Sequence, residues 1–288
     1  MSTAHVAQGR PLNADLHCHS SVSDGLLAPA EIVRRAHANG VELLSLTDHD
    51  ELDGLAEARA VADELGLPFV DGVEISVSWG DDATLHIVGL GIDPGNVVLS
   101  DGLARLRSGR DRRALLMAAE LDKVGIHGAY DGALRYVSNP ALVGRSHFAR
   151  YIVEAGHAKD FKSVFDHWLA KGKPGYVSHH WTQLETALSW IHGAGGVAVI
   201  AHPGRYRITK KELRRLFVEF RALGGEGIEV LSGSHSEDEI LTVARYAREF
   251  GFLASRGSDF HGPGESRIDL GKMPPLPEGL TPVWQKLL

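Results

Sequence analysis

The stretch NADLHCHSSVSDG, Asn13 to Gly25, puts Asp15, His17, His19 and Asp24 within ten positions. Histidines one residue apart on an extended chain project from the same face. Two adjacent imidazoles with a carboxylate five residues on can hold a divalent metal ion; the plainer alternative is a polar strand end meeting a loop. Comparable groups recur: Asp48, His49 and Asp50 in TDHD, Glu74 in GVEIS, His86 in TLHIVGL, His202 in AHPGR, and Asp259 with His261 in GSDFHG. Singly, each has an ordinary explanation. His86 reads as a hydrogen-bonded core residue, HPG as a turn, TDHD as a helix cap, Asp24 as a turn residue. Jointly they would bury many unpaired imidazoles and carboxylates, which is costly, and metal ions remove that cost. Cys18 lies between His17 and His19, so it faces away from both and reads as a packed small hydrophobe. The remaining donors are imidazole and carboxylate, a set suited to Mn, Fe or Zn in a catalytic site.

The elements that must position these residues alternate. LNADLH, VELLSLTDHD, LPFVDGVEIS and TLHIVGLGI read as strands, with helices at APAEIVRRAHANG and LDGLAEARAVADELG. Residues 98–181 turn mostly helical and read as an inserted subdomain, splitting a barrel domain into 1–97 and 182–288. Alternation then returns: TQLETALSWIHGAGG, KKELRRLFVEFRALGG and EDEILTVARYAREFG as helices, VAVIAHPG, GIEVLSG and FLASRGSDFHG as strands. Seven strands, four before the insertion and three after it, predict an α/β barrel-like fold, with an open sheet as the alternative. Near-continuous apolar strands predict parallel βαβ units. In such folds the carboxyl ends of the strands share one face, so donors some 240 positions apart should converge there. The tail KMPPLPEGLTP reads as an extended surface strap.

Composition sets bounds. The 288 residues suffice for one large α/β domain or a core with an insertion. Apolar and charged fractions of 43% and 23% are ordinary for a globular protein. No run approaches the ~20 apolar residues of a membrane helix, and MSTAHVAQGRP lacks a signal-peptide pattern. A single cysteine excludes an intrachain disulfide and suits a cytoplasmic setting. A net charge of −7 argues against stable binding of long duplexes, while leaving room for a local basic pocket.

From Asp15 to Gly262, DLHCHSSVSDG, LTDHD, GVEIS, the His86 strand, AHPGR and GSDFHG resemble, in order, the motifs of the PHP (polymerase and histidinol phosphatase) family of phosphoesterases. The resemblance implies a distorted (β/α)7 barrel with two or three divalent metals at its C-terminal face. It implies nine ligands: His17, His19, Asp24, His49, Glu74, His86, His202, Asp259 and His261. Glu74 would bridge two metals, Asp24, His49 and His261 would serve a third, and Glu74, His202 and Asp259 would form the catalytic centre. Mn2+ is the expected ion, with Zn2+, Fe2+ and Mg2+ as alternatives. The helical insertion, GRSHFAR, KGKPGYV and the aspartate at Asp24 resemble one branch in particular. That branch contains 3',5'-nucleotide bisphosphate phosphatases and 5'-to-3' nucleases of short 5'-phosphorylated RNA or DNA. The implied activity removes the 3'-phosphate of nucleoside 3',5'-bisphosphates, such as pAp to AMP, by attack of a metal-bridging hydroxide on phosphorus. Three divalent ions and three ligand carboxylates leave a charge of about +3, which suits an anionic phosphate ester better than a neutral amide.

A second phosphate needs its own site. Arg145 precedes a helix N-terminus, with Ser146 as a candidate cap, and Arg205 follows the HPG turn; both suit phosphate oxygens, as does His147. RLRSGRDRR, Arg105 to Arg113, reads as an exposed helix face. Lys171, Lys173, His179 and His180 are candidates to line the pocket, and Tyr176, Trp181 and Tyr206 to stack on a base or simply to pack. Three rivals stand beside this assignment. An amidohydrolase shares the His-x-His strand and the late aspartate, but no clear bridging lysine is present and Glu74 takes the bridging place. A histidinol-phosphate phosphatase would act on a single phosphate. A non-catalytic PHP module should have lost ligands.

Overall fold

In the computed structural model, residues 11–80 and 83–288 are described; the stretch read for a signal peptide lies, Pro11 excepted, outside them. The apolar runs become strands β1 (Ala14–Asp15), β2 (Leu43–Leu46), β3 (Phe69–Trp79), β4 (Ala83–Leu90), β5 (Thr182–Gln183), β6 (Val197–Ile200), β7 (Gly227–Ser232) and β8 (Leu253–Gly257). The helices are α1 (Pro29–Ala38), α2 (Leu55–Leu65), α3 (Val97–Asp122), α4 (Ala129–Leu134), α5 (Arg145–Glu154), α6 (Phe161–Val164), α7 (Leu184–Gly193), α8 (Lys210–Ala222) and α9 (Glu237–Phe250). Local chemistry sets their ends. Pro29 opens α1, and Thr209–Glu212 and Ser236–Glu239 form capping boxes before α8 and α9.

The strands form one sheet in the order β1-β2-β3-β4-β6-β7-β8, with β5 beside β3. Its two edges nearly meet. The Leu16 N–H donates to the Arg256 carbonyl at 3.0 Å, Asp259 N–H to the His17 carbonyl at 2.8 Å, and His19 N–H to the Phe260 carbonyl at 2.9 Å. The result is the expected seven-stranded α/β barrel, with two departures. β4 runs antiparallel to both β3 and β6, so the expectation of uniformly parallel units fails there. Only three residues separate β3 from β4, too few for a crossover helix. β5 is an eighth strand, in residues expected to begin α7.

Side chains alternate between two layers. Leu44, Leu46, Ile75, Ile87 and Ile200 pack outward under helix residues such as Ile32, Ala58, Leu188 and Phe217. Leu16, Leu43, Val70, Val88, Leu90, Val197 and Val199 fill the barrel interior. Inward positions turn polar toward one end: on β3 they run Val70, Gly72, Glu74, Ser76. The opposite end is plugged by Val283, which is fully buried in the interior cluster. The stretch read as a surface strap, 272–282, is mostly exposed or half-buried as expected, but Met273 within it is buried and Ala254 N–H donates to the Thr281 carbonyl at 2.8 Å. Between β4 and β5 the chain is helical and has a second apolar cluster around Met117, Leu121, Phe148, Ile152 and Leu169. Helix α3 reaches both cores, with Leu99, Leu103 and Leu106 in the first and Ala114, Met117 and Leu121 in the second. No helix of the described residues is long and apolar enough to cross a membrane.

Candidate metal centre

Glu74 stands at the middle of the polar end, fully buried on β3. Five imidazoles surround its carboxylate. Oε2 lies 3.3 Å from His17 Nε2, 3.3 Å from His19 Nε2 and 2.9 Å from His49 Nδ1. Oε1 lies 2.9 Å from His86 Nδ1 and 3.1 Å from His202 Nε2. His17 and His19 leave β1 on one face, as their spacing requires, and both approach Asp259 Oδ1, at 3.6 and 3.4 Å. His86 arrives from the first half of β4, because that strand is reversed. Asp24, on the loop after β1, lies 3.3 Å from His261 Nε2 and 3.9 Å from both His19 Nδ1 and His49 Nε2. Cys18 is buried on the other side and its thiol donates to the Ser45 carbonyl.

Charge is concentrated here. Burial disfavours ionised Glu74, yet His86, His49 and His17 outweigh it and hold its pKa well below the usual range; Asp24 and Asp259 behave alike among their own histidines. Burial, reinforced by His261 and His49, lowers His19 to about 3. Burial also opposes a charge on His261, but the Asp24 carboxylate prevails and lifts it to about 9.

The donors fit divalent ions. His19 Nδ1, Asp24 Oδ1, His49 Nδ1, Glu74 Oε2 and His202 Nδ1 are buried without a hydrogen-bond partner. His49 Nδ1 and Glu74 Oε2 approach each other to 2.9 Å, both aimed into the centre. Three sets have donor atoms close enough to hold an ion: His17–His19–Asp259, His49–Glu74–His86 and His19–Asp24–His49–His261. The three sets take in eight of the nine expected residues, and His202 reaches them through Glu74 Oε1 at 3.1 Å.

The centre opens into a cleft of about 810 Å³, lined also by Arg113, Arg145, Lys171 and Tyr176. Arg145, in the first turn of α5, has its pKa lowered by burial and, after the offsetting Tyr176, by Arg205 and Arg110. Arg205 also lines the cleft and donates to Asp259 Oδ2 at 2.7 Å. Other expectations change. His147 is fully buried and accepts the Gly144 N–H at 3.0 Å, so it braces the start of α5 behind the cleft wall. Ser146 is not the cap, which falls on Gly144; its hydroxyl donates to Asp24 Oδ2 at 2.7 Å. Tyr206 accepts the His86 N–H and donates to the Ala201 carbonyl, tying β4 to the end of β6. Trp181 is buried, with His179 against its ring. Lys173 and His180 lie off the cleft.

The arginine run is only in part a solvated face: Arg105 and Arg112 are exposed, but two others turn inward. Arg110 is buried, pairs with Asp50 and stacks over Trp181, and Arg113 faces the cleft with its pKa lowered to about 9 by burial, Arg145 and Arg110. The spacing held a signal: Leu99, Leu103, Leu106, Arg110, Ala114, Met117 and Leu121 form one helical stripe, with Arg110 at a core position. Glu229 was also missed. It is buried on β7, where Oε1 accepts from His17 Nδ1 at 3.0 Å and Oε2 accepts the His202 N–H at 2.7 Å. Such a bond fixes the imidazole's tautomer and orientation. One carboxylate in an otherwise apolar strand was its only trace.

The PHP domain family model matches residues 15–223. A Chromobacterium violaceum protein named 3',5'-nucleoside bisphosphate phosphatase is 53% identical over 96% of both chains. A Haemophilus influenzae protein named 5'-3' exoribonuclease is 42% identical, over 94% of this chain and 98% of that one. A solved structure from Chromobacterium violaceum, described as an amidohydrolase with bound sulfate and no metal, superposes with a TM-score of 0.93 at 53% identity, covering 96% of this chain and 95% of that one. With its ring of strands, its histidine-carboxylate cluster and these matches along nearly its whole length, the chain belongs to the PHP domain family.

Proposed function

We propose that this chain is a metal-dependent phosphoesterase that hydrolyses the 3'-phosphate of nucleoside 3',5'-bisphosphates, with short 5'-phosphorylated oligonucleotides as further substrates. The observation that carries this is one cleft lined both by members of the histidine-carboxylate cluster and by Arg113, Arg145 and Lys171. His17, His19, Asp24, His49, Glu74, His86, His202, Asp259 and His261 would hold two or three ions, Mn2+ first among the candidates. Bound there, the ions supply Lewis-acid polarisation of phosphoryl oxygens and activation of water at neutral pH. The chain's own groups bind and orient. Arg145 sits where the first N–H groups of α5 are unpaired along the helix, which suits a 5'-phosphate. Arg113 adds positive potential behind it, and Arg205 retains N–H donors beyond its bond to Asp259. Amide chemistry would leave these cations without a counter-charge. The names of the 53% and 42% identical relatives support the two substrate classes, and a cytoplasmic setting belongs to the same assignment.

A phosphate-release panel with Mn2+-loaded protein tests this. It compares nucleoside 3',5'-bisphosphates, 3'-monophosphates, histidinol phosphate and short 5'-phosphorylated oligonucleotides. The bisphosphate should be preferred. Arg145→Ala should lower its kcat/KM about ten- to a hundredfold, the worth of one charge-assisted contact at about 1.5–3 kcal/mol. The 3'-monophosphate, lacking the second anion, should lose far less. A wild-type enzyme indifferent to the 5'-phosphate would reject the bisphosphate assignment.

A further inference from the structure

The three donor sets are not held in place by the same part of the chain. Two are braced, His49 apart, from within the barrel: Glu229 holds the His17 ring and the His202 backbone, His17 accepts the Asp259 N–H, and Tyr206 holds the His86 backbone. The set His19–Asp24–His49–His261 is different. Ser146 of α5 donates to Asp24 Oδ2 at 2.7 Å, and Arg150 of α5 donates to the Asp24 carbonyl at 2.5 Å. Arg150 also forms two 2.8 Å bonds to Glu265, four residues beyond His261. From α3, Arg110 pairs with Asp50, next to His49, and Arg107 donates to the Asp50 carbonyl at 2.8 Å. Three of the four donors, Asp24, His49 and His261, thus stand on loops tied to helices between β4 and β5.

We infer that α5 positions the Asp24–His49–His261 set selectively through Ser146 and Arg150, because Asp24 and His261 belong to no other set, while Arg107 and Arg110 of α3 steady His49, which this set shares with His49–Glu74–His86. This rests on the metal assignment above. A ligand whose outer partner is lost wanders from its place, and affinity falls about ten- to a hundredfold. The dependence also couples two functions, because Arg145, facing the cleft, and Ser146, gripping Asp24, are adjacent in the first turn of α5. The four side chains are positioning residues; none is among the candidate ligands.

The test is a Mn2+ binding isotherm on the full chain, with free Mn2+ read by electron paramagnetic resonance and total metal by elemental analysis. Ser146→Ala and Arg150→Gln are the variants, and Glu229→Gln is the barrel-side comparison. Ser146→Ala removes one hydroxyl and is expected to fold even where a variant of buried Arg110 does not. In the Ser146 and Arg150 variants one ion per chain should bind about ten- to a hundredfold more weakly while the others keep their wild-type affinity; Glu229→Gln should weaken the ion at His17–His19–Asp259. A normal wild-type stoichiometry with unchanged variant isotherms, or with all ions weakened equally, would overturn the inference alone. Fewer than one ion on the wild-type protein would overturn the metal assignment and this inference with it.

Discussion

A carboxylate with five imidazoles within 3.3 Å has no ordinary structural use, since a structural pair would need only one partner. Glu74→Gln keeps the volume and removes the charge. Turnover should fall at least about a hundredfold, or roughly 2.7 kcal/mol of transition-state stabilisation, while the far-ultraviolet circular dichroism stays native-like. Retention of more than about a tenth of the activity would remove Glu74 from the centre of the chemistry. Most of the donors were legible as residues because they sit in short polar motifs at the ends of apolar runs, whereas His86 stands inside an apolar strand and the full set of nine came from the resemblance. Glu229 was not, because a residue that orients a donor has no motif of its own. His147 and Ser146 were misplaced for a related reason: the order G-R-S-H marks a helix start, but not which neighbour each side chain turns toward.

At the scale of elements, the strand ends carry the strain. Asp50, His202 and Asp259 are the non-glycine residues with left-handed backbone among those described, and all three border the centre. The reversal of β4 was hidden because periodicity gives the face of a strand and says nothing of its direction. Buried Arg110 was hidden because five arginines in nine residues resemble a solvated face, although the stripe through α3 put one of them inside. The same helix yields a prediction in which two effects compete. Gly→Ala inside a helix normally stabilises by about 1 kcal/mol. At Gly102, however, a Cβ would lie 2.6 Å from the Trp190 ring of α7. Overpacking of that kind costs about 1–3 kcal/mol and wins, so Gly102→Ala should lower the urea midpoint at unchanged slope. A raised midpoint would mean that α3 and α7 are less tightly docked than described.

For the whole molecule, the buried centre makes stability depend on its ions. Asp24, Glu74 and Asp259 are packed among imidazoles with several unpaired atoms. Ions that bind only the folded state at a hundred times their dissociation constant add about 2.7 kcal/mol. Chelation should therefore lower Tm by roughly 5 °C or more, Mn2+ should restore it, and Glu74→Gln should respond less. An identical Tm with and without chelator would count against ions resting on these residues. The meeting of the two sheet edges has a further consequence, which concerns how the chain is made. His17 and His19 are synthesised first, and the strand and loop that complete their surroundings, through Asp259 and His261, come some 240 residues later. At roughly 5–20 residues per second, that interval lasts on the order of 10–50 s. Until β8, the loop through His261 and the segment through Val283 have been made, the barrel has no last stave and its interior no plug, so His17 and His19 wait for the Asp259 that completes their set.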